Sequence, residues 1–106
     1  MSNVIGIDLG GTNIKTALVN TKGRIIKKYE TKTEAKKGTK TVINNIISSI
    51  KHVKQGKISG IGIGSPGPLN YKTGVITNPV NLPFRNTPLK NIMEKNIQNE
   101  TSLYLI

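Results

Sequence analysis

Near the start of the chain, an acidic residue leads into a turn of two glycines and a threonine, Asp8-Leu9-Gly10-Gly11-Thr12. Two adjacent glycines let the backbone turn tightly enough for amide N–H groups to face an anion, and the Thr12 hydroxyl can add a donor. Asp8 ends an apolar run, where a carboxylate without a partner is costly, so a cation is expected beside it. Next to a turn that holds phosphate, that cation would be hydrated Mg²⁺.

The same turn also has a purely structural explanation. A plain β-hairpin uses glycines for its geometry, and Asp8 would then cap the turn. The pattern is not a P-loop, because no Gly-Lys-Ser/Thr follows, and it is not the dinucleotide fingerprint, because a strand rather than a helix is expected next. Lys15, on that strand, is either solvated or in contact with the same anion. The residue types and their spacing alone do not decide between a plain hairpin and a phosphate-binding turn.

A second group of candidate residues lies in a long loop, 65–87, which holds four of the five prolines. Gly64-Ser65-Pro66-Gly67 leads into this loop, and Asn78 and Asn81 lie within it. Neutral amides and backbone groups suit a sugar, whose hydroxyls both donate and accept hydrogen bonds. Glycine and proline also build turns without any ligand, and Asn81 alone is equally typical of a turn.

Hydrophobic periodicity predicts the elements that must position these residues. Alternating or β-branched runs predict strands, and apolar residues at three- and four-residue steps predict helices with one apolar stripe. The predicted elements are strands over 3–9, 14–20 and 24–33, a lysine-rich loop over 34–39, a helix over 40–54, a strand over 57–64, a small hairpin around 71–77, a helix beginning at Thr87-Pro88 and a strand over 102–106. The Thr87 hydroxyl is expected to cap the second helix, with Pro88 in its first turn.

These elements predict an α/β fold. Three strands joined by short turns must be antiparallel neighbours, whereas strands that follow helical crossovers run parallel to the first. The order β-β-β-α-β-α-β therefore forms a mixed sheet with helices packed on it, and the lysine-rich strand 24–33 is expected near an edge. The length of 106 residues predicts one domain, 1–106.

Composition excludes several classes of protein. The net charge is +11, but the basic residues are nearly all lysines and the chain has no tryptophan and one phenylalanine. Charge without aromatic stacking platforms is typical of a solvated lysine surface, so no nucleic-acid partner is expected. The absence of cysteine excludes disulfides and thiolate metal sites. No apolar run is long enough to span a bilayer and no leader is recognisable, so a cytoplasmic location without a membrane partner is expected.

Three motifs, in order along essentially the whole chain, resemble the ROK (repressor, open reading frame, kinase) family of the sugar kinase, actin and Hsp70-like ATPase superfamily. Residues 5–15 resemble its first phosphate motif, residues 61–69 its second motif and residues 74–83 its sugar-contacting segment. The resemblance implies a ribonuclease-H-like half of the actin-like ATPase fold. It implies a site for MgATP at Asp8, Gly10, Gly11, Thr12 and Lys15, with Asp8 holding Mg²⁺ indirectly, and a sugar site at Gly64, Ser65, Pro66, Gly67 and Asn81, with Asn78 in reserve.

By that resemblance, the chain is the N-terminal lobe of an ATP-dependent hexose kinase, with glucose the first choice of sugar. The family's catalytic aspartate lies beyond the strand that ends here at Ile106, so no catalytic residue is expected in this chain. None of the glutamates is expected to replace it: Glu30, Glu34, Glu94 and Glu100. The lobe is therefore expected to be inactive alone, and apolar surface left without its neighbours predicts self-association into a homo-oligomer.

Two other functions remain open at this point. The family also contains sugar-responsive transcriptional regulators, which carry a DNA-binding segment ahead of the first motif. Here that motif starts at residue 4, which favours the kinase. The third possibility is a noncatalytic module that binds a sugar or a nucleotide as this short chain.

Overall fold

The structure, a computed structural model, describes residues 2–97 and 102–106. Its elements are β1 (Asn3–Leu9), β2 (Asn13–Val19), β3 (Ile25–Lys32), α1 (Thr39–Val53), β4 (Ile58–Gly64), β5 (Leu69–Asn70), β6 (Val75–Ile76), α2 (Leu89–Asn96) and β7 (Ser102–Leu105). A short 3₁₀ turn, Ala35–Lys37, lies in the predicted loop between β3 and α1. The predicted strands and helices are all present, with ends that differ by one or two residues.

Five of the strands form a mixed sheet in the order β3-β2-β1-β4-β7. The first three are antiparallel neighbours joined by short turns, whereas β4 runs parallel to β1 and β7 parallel to β4. The helical crossovers before β4 and β7 allow this parallel direction. The predicted α/β fold with a mixed sheet is therefore confirmed, and β3 lies at an edge as expected.

One face of the sheet carries the hydrophobic core. Ile5, Ile7 and Leu9 alternate with exposed positions along β1, and the buried stripe of α1 belongs to the same cluster. Residues of α2 and β7 join it as well. The other face of the sheet carries small or polar residues at the alternate positions, among them Gly6, Asp8 and Gly62, and no helix of the described residues covers it.

A buried pair of hydroxyls fastens α1 to the sheet. The Thr16 hydroxyl of β2 donates to the Ser49 Oγ at 2.8 Å, and the Ser49 hydroxyl donates to the Ile46 carbonyl oxygen at 2.7 Å. Both hydroxyls are buried among apolar neighbours. They tolerate this environment because each donates a short hydrogen bond.

The predicted cap of the second helix is wrong. The helix begins at Leu89 with Pro88 as its N-cap, and no side chain caps it. Thr87 instead forms an isolated bridge with Ile76, and its hydroxyl accepts a hydrogen bond from the Arg85 N–H at 3.0 Å. Bridge formation turns the Thr87 side chain away from the helix and towards the preceding loop. The small hairpin predicted in that loop is confirmed as β5 and β6.

None of the helices in the described ranges is long and apolar enough to cross a membrane.

Candidate functional site

The turn between β1 and β2, Gly10–Thr12, is referred to below as the glycine turn. Its Gly10 N–H donates to the Asn13 carbonyl oxygen at 3.0 Å. Its Gly10 and Thr12 carbonyl oxygens accept hydrogen bonds from Thr33, at 2.7 Å from the hydroxyl and 2.9 Å from the N–H. Within residues 2–97 and 102–106, the Gly11 and Thr12 amides donate to no protein acceptor. Two of the three carbonyl oxygens of the turn therefore accept a hydrogen bond, and two of its N–H donors are free.

Thr33 holds the glycine turn in place and was not identified from the sequence. It lies directly after β3, and its side chain is completely buried. The register of β2 against β3 pairs Asn13 with Lys32, the last residue of β3. Thr33, which follows Lys32, therefore lies opposite Thr12. Only this pairing between distant residues would have identified Thr33, because the residues next to it in the sequence form no recognisable motif.

Asp8 lies beside the glycine turn, but its carboxylate is exposed rather than buried. The expectation of a buried acid is wrong because Asp8 faces the uncovered side of the sheet, between Lys15 of β2 and Gly64 of β4. In the described residues it forms no ion pair. A carboxylate that is accessible and free of partners can still contact a cation, with water filling the remaining coordination positions.

The loop that follows β4 leaves the sheet at the same end of the strands as the glycine turn. Gly64 is the register partner of Asp8 in the parallel pair, so strands β1 and β4 end next to each other. Ser65 is half-buried, and Pro66 and Gly67 are exposed. The Gly67–Pro68 peptide bond is cis. Crevices outside the carboxyl ends of parallel strands are the usual place for ligands in such sheets.

Asn81 contacts the glycine turn directly. A β-carbon placed on Gly11 would lie 2.5 Å from the Asn81 Cβ and 2.9 Å from its carbonyl oxygen, so only glycine fits there. Gly11, Thr12 and Asn81 line one cavity of about 740 Å³. The exposed Asn81 side chain makes no hydrogen bond with the described residues. Asn78 is also exposed but does not line this cavity.

The three residues that follow Asn81 are held in place by burial and by hydrogen bonds. Leu82 and Phe84 are buried in the core, and the Arg85 guanidinium donates to both of their carbonyl oxygens, at 3.1 and 2.6 Å. The Thr39 hydroxyl at the start of α1 donates to the Pro83 carbonyl oxygen at 3.3 Å. Asn81 therefore projects from a fixed backbone.

A second cavity, of about 710 Å³, lies on the uncovered face of the sheet. Asp8, Lys15 and Gly64 line it, together with Gly6 and Gly62. Six of the eleven predicted site residues line one of the two cavities, whereas Gly10, Ser65, Pro66, Gly67 and Asn78 line neither. Gly11, Thr12 and Asn81 line one, and Asp8, Lys15 and Gly64 line the other.

The donor set fits an anion better than a directly coordinated metal. Within the described ranges, no group of three or more histidine, cysteine, aspartate or glutamate side chains could hold a metal ion. Glu100 lies outside these residues. The single carboxylate of Asp8 fits Mg²⁺ that keeps most of its waters, as it does when phosphate oxygens supply further ligands.

Known proteins resemble the chain over nearly all of its length. It is 35% identical over 108 residues to a glucokinase of Halalkalibacterium halodurans, covering 96% of this chain and 32% of the relative. It is also 32% identical over 103 residues to a xylose repressor of Caldicellulosiruptor bescii, covering 90% of this chain and 25% of the relative. The chain thus spans a third or less of the length of these relatives.

Among solved structures, a ROK family glucokinase from Streptomyces griseus in complex with glucose and AMPPNP matches with a TM-score of 0.86 at 24% identity. The match covers 98% of this chain and 32% of that one, and it shows that the two share a fold. The model of the ROK family matches residues 4–104. The order of motifs along this sheet, the shared fold and the match over residues 4–104 together show that the chain belongs to the ROK family.

Proposed function

We propose that this chain is the N-terminal, phosphate- and sugar-contacting lobe of an ATP-dependent hexose kinase of the glucokinase type. The contact between Gly11 and Asn81 carries the proposal. It brings two free backbone N–H donors, those of Gly11 and Thr12, next to an amide side chain that both donates and accepts. Transfer of a phosphoryl group to a hydroxyl requires these two kinds of binding side by side.

The glycine turn binds the phosphates of the donor in this proposal. Free amides that point at an anion are fixed dipoles, and they stabilise charge without having to reorganise during the reaction. Thr33 holds the turn in place by donating to the Gly10 and Thr12 carbonyl oxygens, bonds that leave the Gly11 and Thr12 amides unused. Lys15, whose ammonium is exposed on the strand that follows, adds positive charge to the same end of the sheet.

Asp8 is the residue that we assign to Mg²⁺, held through water. Mg²⁺, when bound with the nucleotide, neutralises charge on the phosphate oxygens. Asp8 suits this role because its carboxylate is exposed and has no ion-pair partner among the described residues. It also precedes Gly11, the first residue with a free amide, by three positions. Its contribution is to orient the metal and its water ligands rather than to accept a proton.

The sugar lies against Asn81 and the loop of Ser65–Gly67 in this proposal. The Ser65–Gly67 loop follows β4 at the end of the sheet where β1 also ends, and Asn81 contacts the glycine turn at that same end. The similarity to glucokinases makes a hexose the proposed acceptor and glucose the first choice. No described acid lies next to Asn81 in an unpaired state, because Glu34 in the same cavity is bound to Lys37. We therefore assign binding, and not proton removal, to residues 2–97 and 102–106.

Calorimetric titration of the chain with MgATP, and separately with glucose, tests the proposal. We expect weak MgATP binding that Asp8→Ala abolishes, and little affinity for glucose by this lobe alone. Glu94→Ala is the matched control, since Glu94 is an exposed acid on α2 and lines neither cavity. Equal MgATP affinity for wild type and Asp8→Ala would show that the assignment of Asp8 is wrong. A kinase assay of the chain alone should form no glucose phosphate.

The second candidate is the sugar-responsive domain of a transcriptional regulator, favoured by the similarity to a xylose repressor. A regulator of this kind needs the sugar site but not the phosphates. Sugar binding that is measurable without nucleotide, together with no MgATP binding to the folded chain, would favour this candidate over the kinase.

A further inference from the structure

The two edges of the five-stranded sheet differ in character. The β3 edge carries three lysines and a glutamate, and charged side chains of this kind keep other strands from pairing with an edge. The β7 edge, Ser102–Leu105, carries no charge and no proline, and the next residue, Ile106, is also apolar. Among the described strands, none pairs with the outer side of β7. This edge is therefore open to pairing with a further strand.

The direction of the backbone shows which groups of β7 are free. The Ile106 N–H donates to the Ile63 carbonyl oxygen of β4 at 2.9 Å. Alternate residues of a strand point their N–H and C=O groups to opposite sides, so Tyr104 also faces β4, whereas Leu103 and Leu105 face outwards. Within the described residues, the backbone N–H and C=O groups of these two leucines have no partner. The free edge of β7 thus presents two donors and two acceptors.

The strand β7 of a second copy satisfies these groups. When two copies lie antiparallel about a two-fold axis at Tyr104, Leu103 of each copy lies opposite Leu105 of the other. Each of these two pairs exchanges both of its N–H···O=C bonds, so the contact forms four hydrogen bonds. The arrangement closes as a dimer, because both copies use the same groups. The two five-stranded sheets then continue as one sheet of ten strands.

The side chains of β7 suit the same arrangement. Tyr104 is 57% exposed and Ile106 is 67% exposed, whereas the two leucines between and beside them point into the core. At the two-fold axis, Tyr104 faces its own copy in a non-hydrogen-bonded pair, the closer of the two kinds of cross-strand pair. Aromatic pairs at such positions stabilise antiparallel strands. Ile106 lies opposite Ser102 of the second copy, so pairing covers both exposed side chains.

The distribution of charge permits this contact, although each copy carries a net charge of +11. The lysine-bearing strand β3 lies four strand spacings from β7, about 19 Å away. This distance exceeds the Debye length of about 8 Å at physiological ionic strength, so the lysines of β3 do not repel a copy that binds at β7. Because the contact itself is uncharged, salt that screens the net charge should strengthen it.

We propose that this chain forms a dimer through antiparallel pairing of β7 with β7 of a second copy, centred on Tyr104. The inference goes beyond the proposed function and does not rest on it, since no residue of β7 is assigned to phosphate or sugar. It assigns a surface and a register to the self-association that the sequence predicted. Four hydrogen bonds and a few side chains form a small contact, so the dimer should appear only at high protein concentration.

Cysteine cross-linking tests the register, because the chain has no cysteine of its own. Across the two-fold axis the two Tyr104 α-carbons lie about 4.5 Å apart, within reach of a disulfide, whereas the two Ser102 α-carbons lie about 14 Å apart. With oxidised glutathione as the oxidant, Tyr104→Cys should therefore form a covalent dimer and Ser102→Cys should not. A mixture of Ser102→Cys with Ile106→Cys should form the mixed dimer.

Sedimentation equilibrium of the chain without added cysteine measures the dimer directly. Tyr104→Lys places two ammonium groups together at the axis and should weaken dimerisation about fivefold or more. Tyr71→Lys is the matched control, since Tyr71 is 67% exposed and lies between β5 and β6. Amide NMR signals establish that each variant is folded. In wild type, the Leu103 and Leu105 amides should exchange more slowly with solvent as the protein concentration rises.

A chain that stays monomeric up to the limit of its solubility would overturn the proposal, and so would equal loss of dimer in both lysine variants. Cross-linking of Ser102→Cys as readily as Tyr104→Cys would also overturn it, because it would indicate parallel or unspecific pairing. Dimerisation that salt weakens would indicate ionic contacts at another surface instead. None of these outcomes involves Asp8, so MgATP binding can be present or absent independently of the dimer.

Discussion

Gly11 packs so closely against Asn81 that no side chain larger than a hydrogen atom fits at position 11. The two residues are 70 positions apart in the sequence, and the contact joins the turn after β1 to the loop before α2. The free amides of the turn and the free amide side chain of Asn81 thereby line the same cavity. The proposed function depends on this relationship.

Gly11→Ala should destabilise the fold because the new methyl group would lie 2.5 Å from the Asn81 Cβ and 2.9 Å from its carbonyl oxygen. The neighbour is anchored backbone and must shift, at a cost of about 1–3 kcal/mol in the free energy of unfolding. Urea denaturation measures this cost. Gly6→Ala is the control, since no atom lies within 4 Å of its added carbon, and it should be neutral or slightly stabilising. Equal stability of the two variants would contradict the contact.

Thr33→Val should weaken both the fold and phosphate binding. Valine keeps the shape but leaves the Gly10 carbonyl oxygen without its 2.7 Å hydrogen bond, at a cost of about 1–3 kcal/mol. Thr33→Ser keeps the hydroxyl and loses only a methyl group. We expect serine to retain the affinity for MgATP and valine to lose part of it at a temperature where both are folded. Equal affinities would mean that Thr33 supports the fold without positioning the turn.

The hydroxyl pair between β2 and α1 should behave as a coupled unit. Ser49→Ala leaves the buried Thr16 hydroxyl without its acceptor, and Thr16→Val removes the donor itself. The single Ser49→Ala change should cost about 1–3 kcal/mol, whereas adding Thr16→Val should recover part of the loss because no buried donor is then unpaired. A double-mutant cycle from denaturation curves measures the coupling, and simple additivity would argue against it.

Glu34 should respond to pH. The hydrogen bond from Lys37, followed by that from Asn45 and the charge of Lys37, holds the pKa of the Glu34 carboxyl below its usual range. A carboxyl whose pKa is lower in the folded state stabilises the fold above its unfolded pKa, and that contribution disappears as the pH falls through the folded value. The Asn45 side-chain amide signals should therefore move at a pH below the usual glutamate range. Lys37→Gln should raise the pKa of Glu34 and shift this midpoint upwards; an unchanged midpoint would contradict the pairing.

Local patterns in the sequence predicted the elements and the direction of each strand. Periods of two and of three to four residues depend on which face of one element is buried, and short turns leave antiparallel pairing as the only option. The motifs around Asp8 and the glycine turn were likewise recognisable, because adjacent glycines are typical of tight turns. The structure shows that Gly11 is required by its contact with Asn81. The cap predicted at Thr87 failed because a bridge to Ile76, 11 residues earlier, took that residue out of the local pattern.

The sequence by itself determined the α/β class, the order of the elements and the residue types at the end of β1. Only the tertiary structure decided which of two asparagines lies at the glycine turn, that Thr33 occupies its carbonyls, and that Asp8 faces outwards rather than into the core. The reason is physical. Periodicity and turn chemistry act between residues a few positions apart, whereas these three outcomes depend on strand register and on packing between segments distant in the chain.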